Sequence, residues 1–467
     1  MKPFLMGLVF SMVHYTLTAQ CPTVPLVLGS QADIDNFSIN YPNCTELLTP
    51  LYLDEVDGEI NNLLGLNSIE YAQLIKIQNT HIEHLFGLEN LAGISELWLT
   101  SNYNLLDFMG LESATNIGLL NVIDNTAINS ASGLEALTEI AQLNFFDNTS
   151  LTDLSALTQV TQLNGLRIAG NNLTTLDGLD NLVTVENEIF ISNDQVINLD
   201  VFSGLNDFTA SLFLWNNPQL TDVSVFQAVT QLQDLVIVGC DQIQAFQGFE
   251  NLTQVQGLFR LGFNPQMTDL MAFSALQSVG SLDIYENDNL TSLDGIDGLT
   301  QVTEAVYLMD NPSLSDIDAI QSVVPTGIQQ VVISRNTSLT TCDNDFVCQV
   351  IFDPTINEEI QGNANGCNSV PQVAARCILG PPESVESLSL DLWPNPAEFE
   401  INLAFHGTNL TNIRIFNTQG AMMYSLQSSE ISDAERAQIN VSNWASGLYF
   451  VSLESDRGMA HHKFIKQ

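Results

Sequence analysis

The segment LWLTSN at residues 97–102 is followed by LNVIDN at 120–125, LNFFDN at 143–148 and LRIAGN at 166–171. These four lines decide the fold. Each carries apolar residues five and three places before its last position, as Leu166 and Ile168 stand before Asn171. Apolar residues alternating with others over so few positions predict a short strand with one inward face. The series continues in IFISND, LFLWNN, LVIVGC, FRLGFN, LDIYEN, VYLMDN and VISRN. Its key position falls at Asn102, Asn125, Asn148, Asn171, Asp194, Asn217, Cys240, Asn264, Asn287, Asn311 and Asn336, in steps of 23 residues as far as Cys240 and of 23 to 25 afterwards. Two looser units, LYLDEV and IKIQNT, place Val56 and Thr80 at the same point.

Stacked units of this kind form one parallel sheet. At the turn after the strand, a buried asparagine offers donors and an acceptor to the backbones of adjacent coils, whose polar groups would otherwise cost about 1–3 kcal/mol each. Behind the asparagine the apolar spacing changes to three, through Leu151, Leu154, Leu157, Val160, Leu163 and Leu166. An α-helical face cannot hold that spacing, because each step of three falls about 60° short of a full turn. The convex side is therefore expected to consist of 3₁₀ turns or short extended segments. Gly110, Gly133, Ala156, Gly178, Gly248 and Gly295 recur where the chain turns tightly. The unit resembles the leucine-rich repeat, L-x-x-L-x-L-x-x-N/C. The expected fold is mainly β: a right-handed leucine-rich-repeat solenoid of about 13 coils over residues 56–341, then a small antiparallel β-sandwich.

The chain has seven cysteines. Cys21 and Cys44 bracket the start of the mature chain, in an N-terminal cap at 20–55, and Cys342, Cys348, Cys367 and Cys377 cluster in a C-terminal cap at 342–378. In an exported protein these read as disulfides that staple the two open ends of the stack. Cys21 is expected to pair with Cys44; the other four allow three connectivities. A zinc site is the rival for that cluster, but paired C-x-x-C units are missing. Cys240 stands in the asparagine ladder and reads as a buried structural thiol. The opening C-P-T-V…Y-P-N-C-T and the recurrent N-x-x-L-T-x-L-x-G-L units resemble receptor L-domains over residues 21–378, a likeness that speaks to architecture and not to ligand.

A proline-containing linker, LGPPESVE at 379–386, ends the repeats. Alternating apolar residues with closely spaced turn signals follow, as in a small β-sandwich. The segment 387–467 resembles the type A C-terminal sorting domain of the type IX secretion system. The resemblance rests on Trp393, Pro394, Asn395 and Pro396 at the entry, Gly420 at the central turn, Gly447, Leu448 and Tyr449 in the G-x-Y strand, and Lys463 and Lys466 at the basic end. It implies the secretion machinery as a partner, passage to the outer surface of a Gram-negative bacterium, and attachment to lipopolysaccharide.

Residues 1–19 combine an early lysine, an apolar run and Ala19, as a cleaved signal peptide does. The chain carries 54 acidic and 11 basic residues, a net charge of −43. Such a surface repels phosphate backbones, so nucleic acid is excluded as a partner. No H-E-x-x-H, nucleophile elbow, phosphate-binding loop or dinucleotide fingerprint occurs. No enzyme activity and no cofactor are expected. His81 and His84 form an H-x-x-H pair without a third ligand nearby, and Asp177, Asp180, Asp294 and Asp297 read as solvated turns before calcium ligands. The N-x-T sequons at Asn251 and Asn289 follow from the repeat consensus.

The residues four and two places before the ladder position point outward on the concave side. Those slots hold Trp98, Phe146, Phe190, Phe213, Trp215, Tyr285 and Tyr307, with Lys76, Arg167 and Arg260 among them and Arg335 one residue before Asn336. Aromatic platforms with interspersed cations suit sugar rings or protein hot spots. The expected function is that of a secreted or cell-surface adhesion protein that binds a glycan or a protein; the alternative is a structural coat protein whose aromatics pack laterally.

Overall fold

Two periodicities, two within the strand and three behind it, put the repeat leucines into the core of each unit. Leu97, Leu99, Leu120, Val122, Leu143, Phe145, Leu166 and Ile168 are fully buried, as the alternation requires. The computed structural model describes residues 21–55, 59–205, 208–379, 389–406, 410–427, 436–455 and 458–467. The signal peptide, Val56 and linker residues 380–386 lie outside them. The chain falls into two compact units, residues 1–184 and 185–467.

In the first unit, short strands β1 (Leu26–Leu28), β2 (Glu46–Leu47) and β3 (Leu51–Asp54) lead into β4 (Tyr71–Gln78), β5 (Gly93–Thr100), β6 (Asn116–Ile123), β7 (Glu139–Phe146) and β8 (Gln162–Ala169). Strands β3 to β8 pair in sequence order, all parallel. Helices α1 (Gln31–Asp35) and α2 (Phe37–Asn40) close the N-terminal end, where Ile34 and Phe37 are fully buried. Cys21 is bridged to Cys44 beside them.

The second unit repeats the plan in β9 (Thr184–Ser192), β10 (Ser211–Trp215), β11 (Gln231–Leu232), β12 (Leu235–Val238), β13 (Gln254–Gly262), β14 (Ser278–Tyr285), β15 (Gln301–Met309) and β16 (Gln330–Ser334). One more parallel strand, β17 (Asn357–Gln361), extends the sheet into the cysteine-rich cap. The cap's helices α3 (Asp345–Phe352) and α4 (Val370–Leu379) are tied by Cys348–Cys377, and Cys342–Cys367 closes the last coil.

The convex side of both units consists of turns and 3₁₀ segments such as Ser155–Leu157 and Met271–Phe273. Gly110 shows why small residues recur there. Its φ is 109°, and a Cβ would stand 2.3 Å from the Leu85 carbonyl of the preceding coil. The following carboxylates close the same turns: the Gly178 N–H donates to Asp180 Oδ2 at 2.9 Å and the Gly295 N–H to Asp297 Oδ2 at 3.0 Å. Those aspartates have a backbone task.

The ladder is continuous within each unit. Oδ1 of Asn125 accepts the Asn102 N–H at 2.9 Å, and Oδ1 of Asn148 accepts the Asn125 N–H at 3.0 Å. Each Nδ2 reaches back to a strand carbonyl, as Asn125 does to Leu99 O at 2.9 Å. In the second unit Asn264, Asn287, Asn311 and Asn336 continue the pattern. Asn363, in a segment the sequence reading assigned to the cap alone, adds a rung by accepting the Asn336 N–H at 2.9 Å. Cys240 is wholly buried with its Sγ 4.0 Å from Leu214 O, and burial pushes its thiol up to about 12. Burial thus keeps the thiol protonated at neutral pH.

The C-terminal segment pairs antiparallel in two sheets. Strands β18 (Ser389–Trp393), β19 (Glu400–His406) and β22 (Arg436–Asn440) form one; β21 (Met422–Gln427), β20 (Leu410–Asn417), β23 (Gly447–Ser455) and β24 (Gly458–Lys466) form the other. Ile401, Leu403 and Ile439 of the first meet Ile413, Val451 and Phe464 of the second in a shared core.

Candidate functional site: the outward rows of the sheet and the C-terminal domain

Register decides which outward side chains become neighbours. In the first unit one row runs Lys76, Trp98, Asn121, Asn144 and Arg167, strand by strand. A second row, two residues on, includes Thr100, Ile123 and Phe146. Trp98 and Phe146 are half-buried. The Trp98 indole N–H donates to Glu96 Oε2 at 3.0 Å, and Asn144 Nδ2 donates to Asn121 Oδ1 at 3.1 Å. This face is largely amide and polar.

The second unit is more aromatic. Phe190, Phe213, Val236, Arg260, Asp283 and Tyr307 share one row, and Trp215, Val238, Gly262 and Tyr285 lie in the next. The Phe190 and Phe213 rings are 6.2 Å apart, within the range of favourable aromatic pairing. Val236 and Val238 are each only 2% exposed although they occupy outward slots, so this part of the face is packed like a core. Gly262 makes room for its neighbour: a Cβ there would stand 2.5 Å from the Tyr285 ring.

Arg260 is not a free cation. Its Nε donates to Asp283 Oδ2 at 2.7 Å, and its guanidinium carbon lies 5.9 Å from the Tyr285 ring centre. Asp283 is 4% exposed. Its burial raises the carboxyl above the ordinary range, more than Arg260 lowers it. Asp283 Oδ1 has no hydrogen-bond partner among the described residues. Nothing in the sequence marked this aspartate, which sits in an outward slot like many solvated ones. The Tyr307 hydroxyl donates to Gln330 Oε1 at 3.1 Å. Arg335 stands apart from both rows. Its φ is 58°, at the turn ending β16, and it is paired with Asp310 of the preceding coil.

The H-x-x-H pair is divided between two carboxylates: His81 Nδ1 lies 2.9 Å from Glu55 Oε2 and His84 Nδ1 2.7 Å from Asp107 Oδ1. The Glu55 hydrogen bond raises the His81 pKa. Among the described residues no group of three His, Cys, Asp or Glu is placed to hold a metal ion.

In the C-terminal sandwich the motif residues meet at the last strand. Asn395 Nδ2 donates to Lys463 O at 3.1 Å, and Asn395 Oδ1 accepts the Ile465 N–H at 2.9 Å. Both flanking prolines, Pro394 and Pro396, follow cis peptide bonds, and Trp393 is 44% exposed. Gly420 takes φ 78° in the turn between β20 and β21. Gly447 begins β23 opposite Lys466. The Tyr449 hydroxyl donates to Ala445 O at 2.8 Å, four residues upstream, as the tyrosine corner of β-sandwiches does. Lys463 is exposed, whereas Lys466 is 6% exposed.

Residues 391–467 match the secretion system C-terminal sorting domain. The sorting domain marks the chain for secretion and surface export and implies an encounter with the type IX machinery. No curated protein matches the chain in sequence. Among solved structures it is similar to the crystal structure of an internalin from Listeria monocytogenes, over 65% of this chain and 83% of that one, at 19% identity and a TM-score of 0.48.

Proposed function

We propose that the exported solenoid is a non-enzymatic binding or adhesion protein that takes a glycan or a protein on its outward sheet face. The observation that carries this reading is the half-exposed aromatic set Phe190, Phe213 and Trp215 on the adjacent strands β9 and β10. Large rigid rings supply contact area at small conformational cost and are over-represented at binding hot spots. Lys76, Trp98, Phe146 and Arg167 supply the corresponding outward positions of the first unit, and Arg260, Tyr285 and Tyr307 extend those of the second. In this reading the sorting domain is an address, after which the protein is held on the outer surface through lipopolysaccharide.

A structural coat role is the competing reading, and the burial of Val236 and Val238 under lateral packing favours it. Replacing Phe213 and Trp215 together with alanine separates the two. Binding to ligands found on an array of glycans and extracellular proteins is expected to fall with little change in melting temperature. A comparable loss of stability with binding intact would identify the rings as packing.

A further inference from the structure

The first unit contains a cleft that none of these roles uses. It has a volume of about 570 Å³ and opens where β6, β7 and β8 begin. That is the size of a small-ligand site. Its walls are Asn116, Glu139, Gln159, Thr161, Gln162 and Asn164, all exposed. Asn116 Nδ2 donates to Glu139 Oε2 at 2.6 Å, which fixes that pair across neighbouring strands. The side-chain amides of Gln159, Gln162 and Asn164 find no protein partner among the described residues. Gly118 and Ala141 are the small residues of the lining.

The lining selects its ligand by chemistry. Each free amide offers two donors and an acceptor on one carbon, an arrangement that vicinal hydroxyls on a sugar satisfy as paired acceptor and donor. The cleft has no cation and one carboxylate, and the chain carries a net charge of −43, so an anionic ligand is repelled. Ile117 and Ile140, the larger apolar residues of the lining, are already buried and offer little to a hydrophobic ligand.

We propose that this cleft is a binding site for an uncharged oligosaccharide, separate from the aromatic face. The test is calorimetric titration of the mature full chain with neutral hexasaccharides: cello-, malto-, laminari-, manno- and chitohexaose. At least one is expected to bind with a Kd between roughly 1 µM and 1 mM. Gln162→Ala with Asn164→Ala weakens that binding about tenfold or more, since each lost hydrogen bond is worth roughly a factor of five. Ala141→Trp fills the cleft and abolishes it. Melting temperature reports that both variants remain folded. Loss of the sugar in Phe213→Ala with Trp215→Ala, with binding kept in both cleft variants, would place it on the aromatic face and overturn the cleft site. The proposal is overturned if none of these sugars binds or if binding survives both cleft variants.

Discussion

Replacing Asn287 with alanine removes one rung of the second unit's ladder. Its Oδ1 accepts the Asn264 N–H at 3.1 Å, and its Nδ2 donates to Leu261 O at 3.1 Å and Tyr285 O at 2.9 Å. The residue is fully buried, so water cannot replace these partners. Alanine strands the Asn264 N–H and the Leu261 carbonyl, and at about 1–3 kcal/mol for each buried unsatisfied group the expected cost is about 4 kcal/mol. Cys240 provides an internal control. Its thiol stands at an equivalent rung with sulfur–oxygen distances of 3.9 and 4.0 Å, a weak substitute for the amide. Asn287→Cys should therefore lose about half as much, and Cys240→Asn should gain about 1–2 kcal/mol. Urea unfolding of the mature chain, followed by circular dichroism, measures all three. An Asn287→Ala loss below about 1 kcal/mol, or an Asn287→Cys variant as stable as the parent, would refute the claim that the amide satisfies backbone groups nothing else can reach.

Cys342→Ser with Cys367→Ser opens a loop of sequence separation 25, and loop entropy sets the expected loss at about 3.5 kcal/mol, read as a lower unfolding midpoint in non-reducing buffer. Deleting residues from 387 onward is expected to leave the protein in the periplasm with the solenoid folded, because the ladder is complete at Asn363; cell fractionation that found the truncated chain on the surface would contradict this. Removing the sorting domain also uncovers Phe352, whose ring lies 5.3 Å from Phe416, so the truncated chain should be less soluble. Asp283 has its pKa raised above the ordinary 3.8, so the native state binds that proton more tightly than the unfolded chain. Stability contributed there falls as pH rises from 3.8 through the native value, and Asp283→Asn should flatten that portion of a melting-temperature profile taken from roughly pH 4 to 7.

Residue spacing alone determined the solenoid. Alternation by two forced Leu166 and Ile168 inward, spacing by three barred a helical convex side, and a recurrent asparagine announced the ladder, because each is a local constraint repeated every coil. Clustering at the two ends of the repeats in an exported chain located the cysteine staples, and the W-P-N-P and G-L-Y signatures marked the sorting domain. Pairing among Cys342, Cys348, Cys367 and Cys377 was open in the sequence and was decided by where β17 and α4 bring the chain back. Asn363 was missed because the strand before it, NEEIQ, is polar and lacks the repeat's signature; β17 is recruited by pairing with β16. The outward rows were legible as slots, but their contents were not. That Arg260 is neutralised by Asp283 and that Tyr285 lies over Gly262 depend on contacts between residues 23 positions apart, and the cleft exists only where β6, β7 and β8 lie side by side. Periodicity fixes which side chains face outward, whereas only the packed register fixes which of them find a partner in the next coil and which remain available to a ligand.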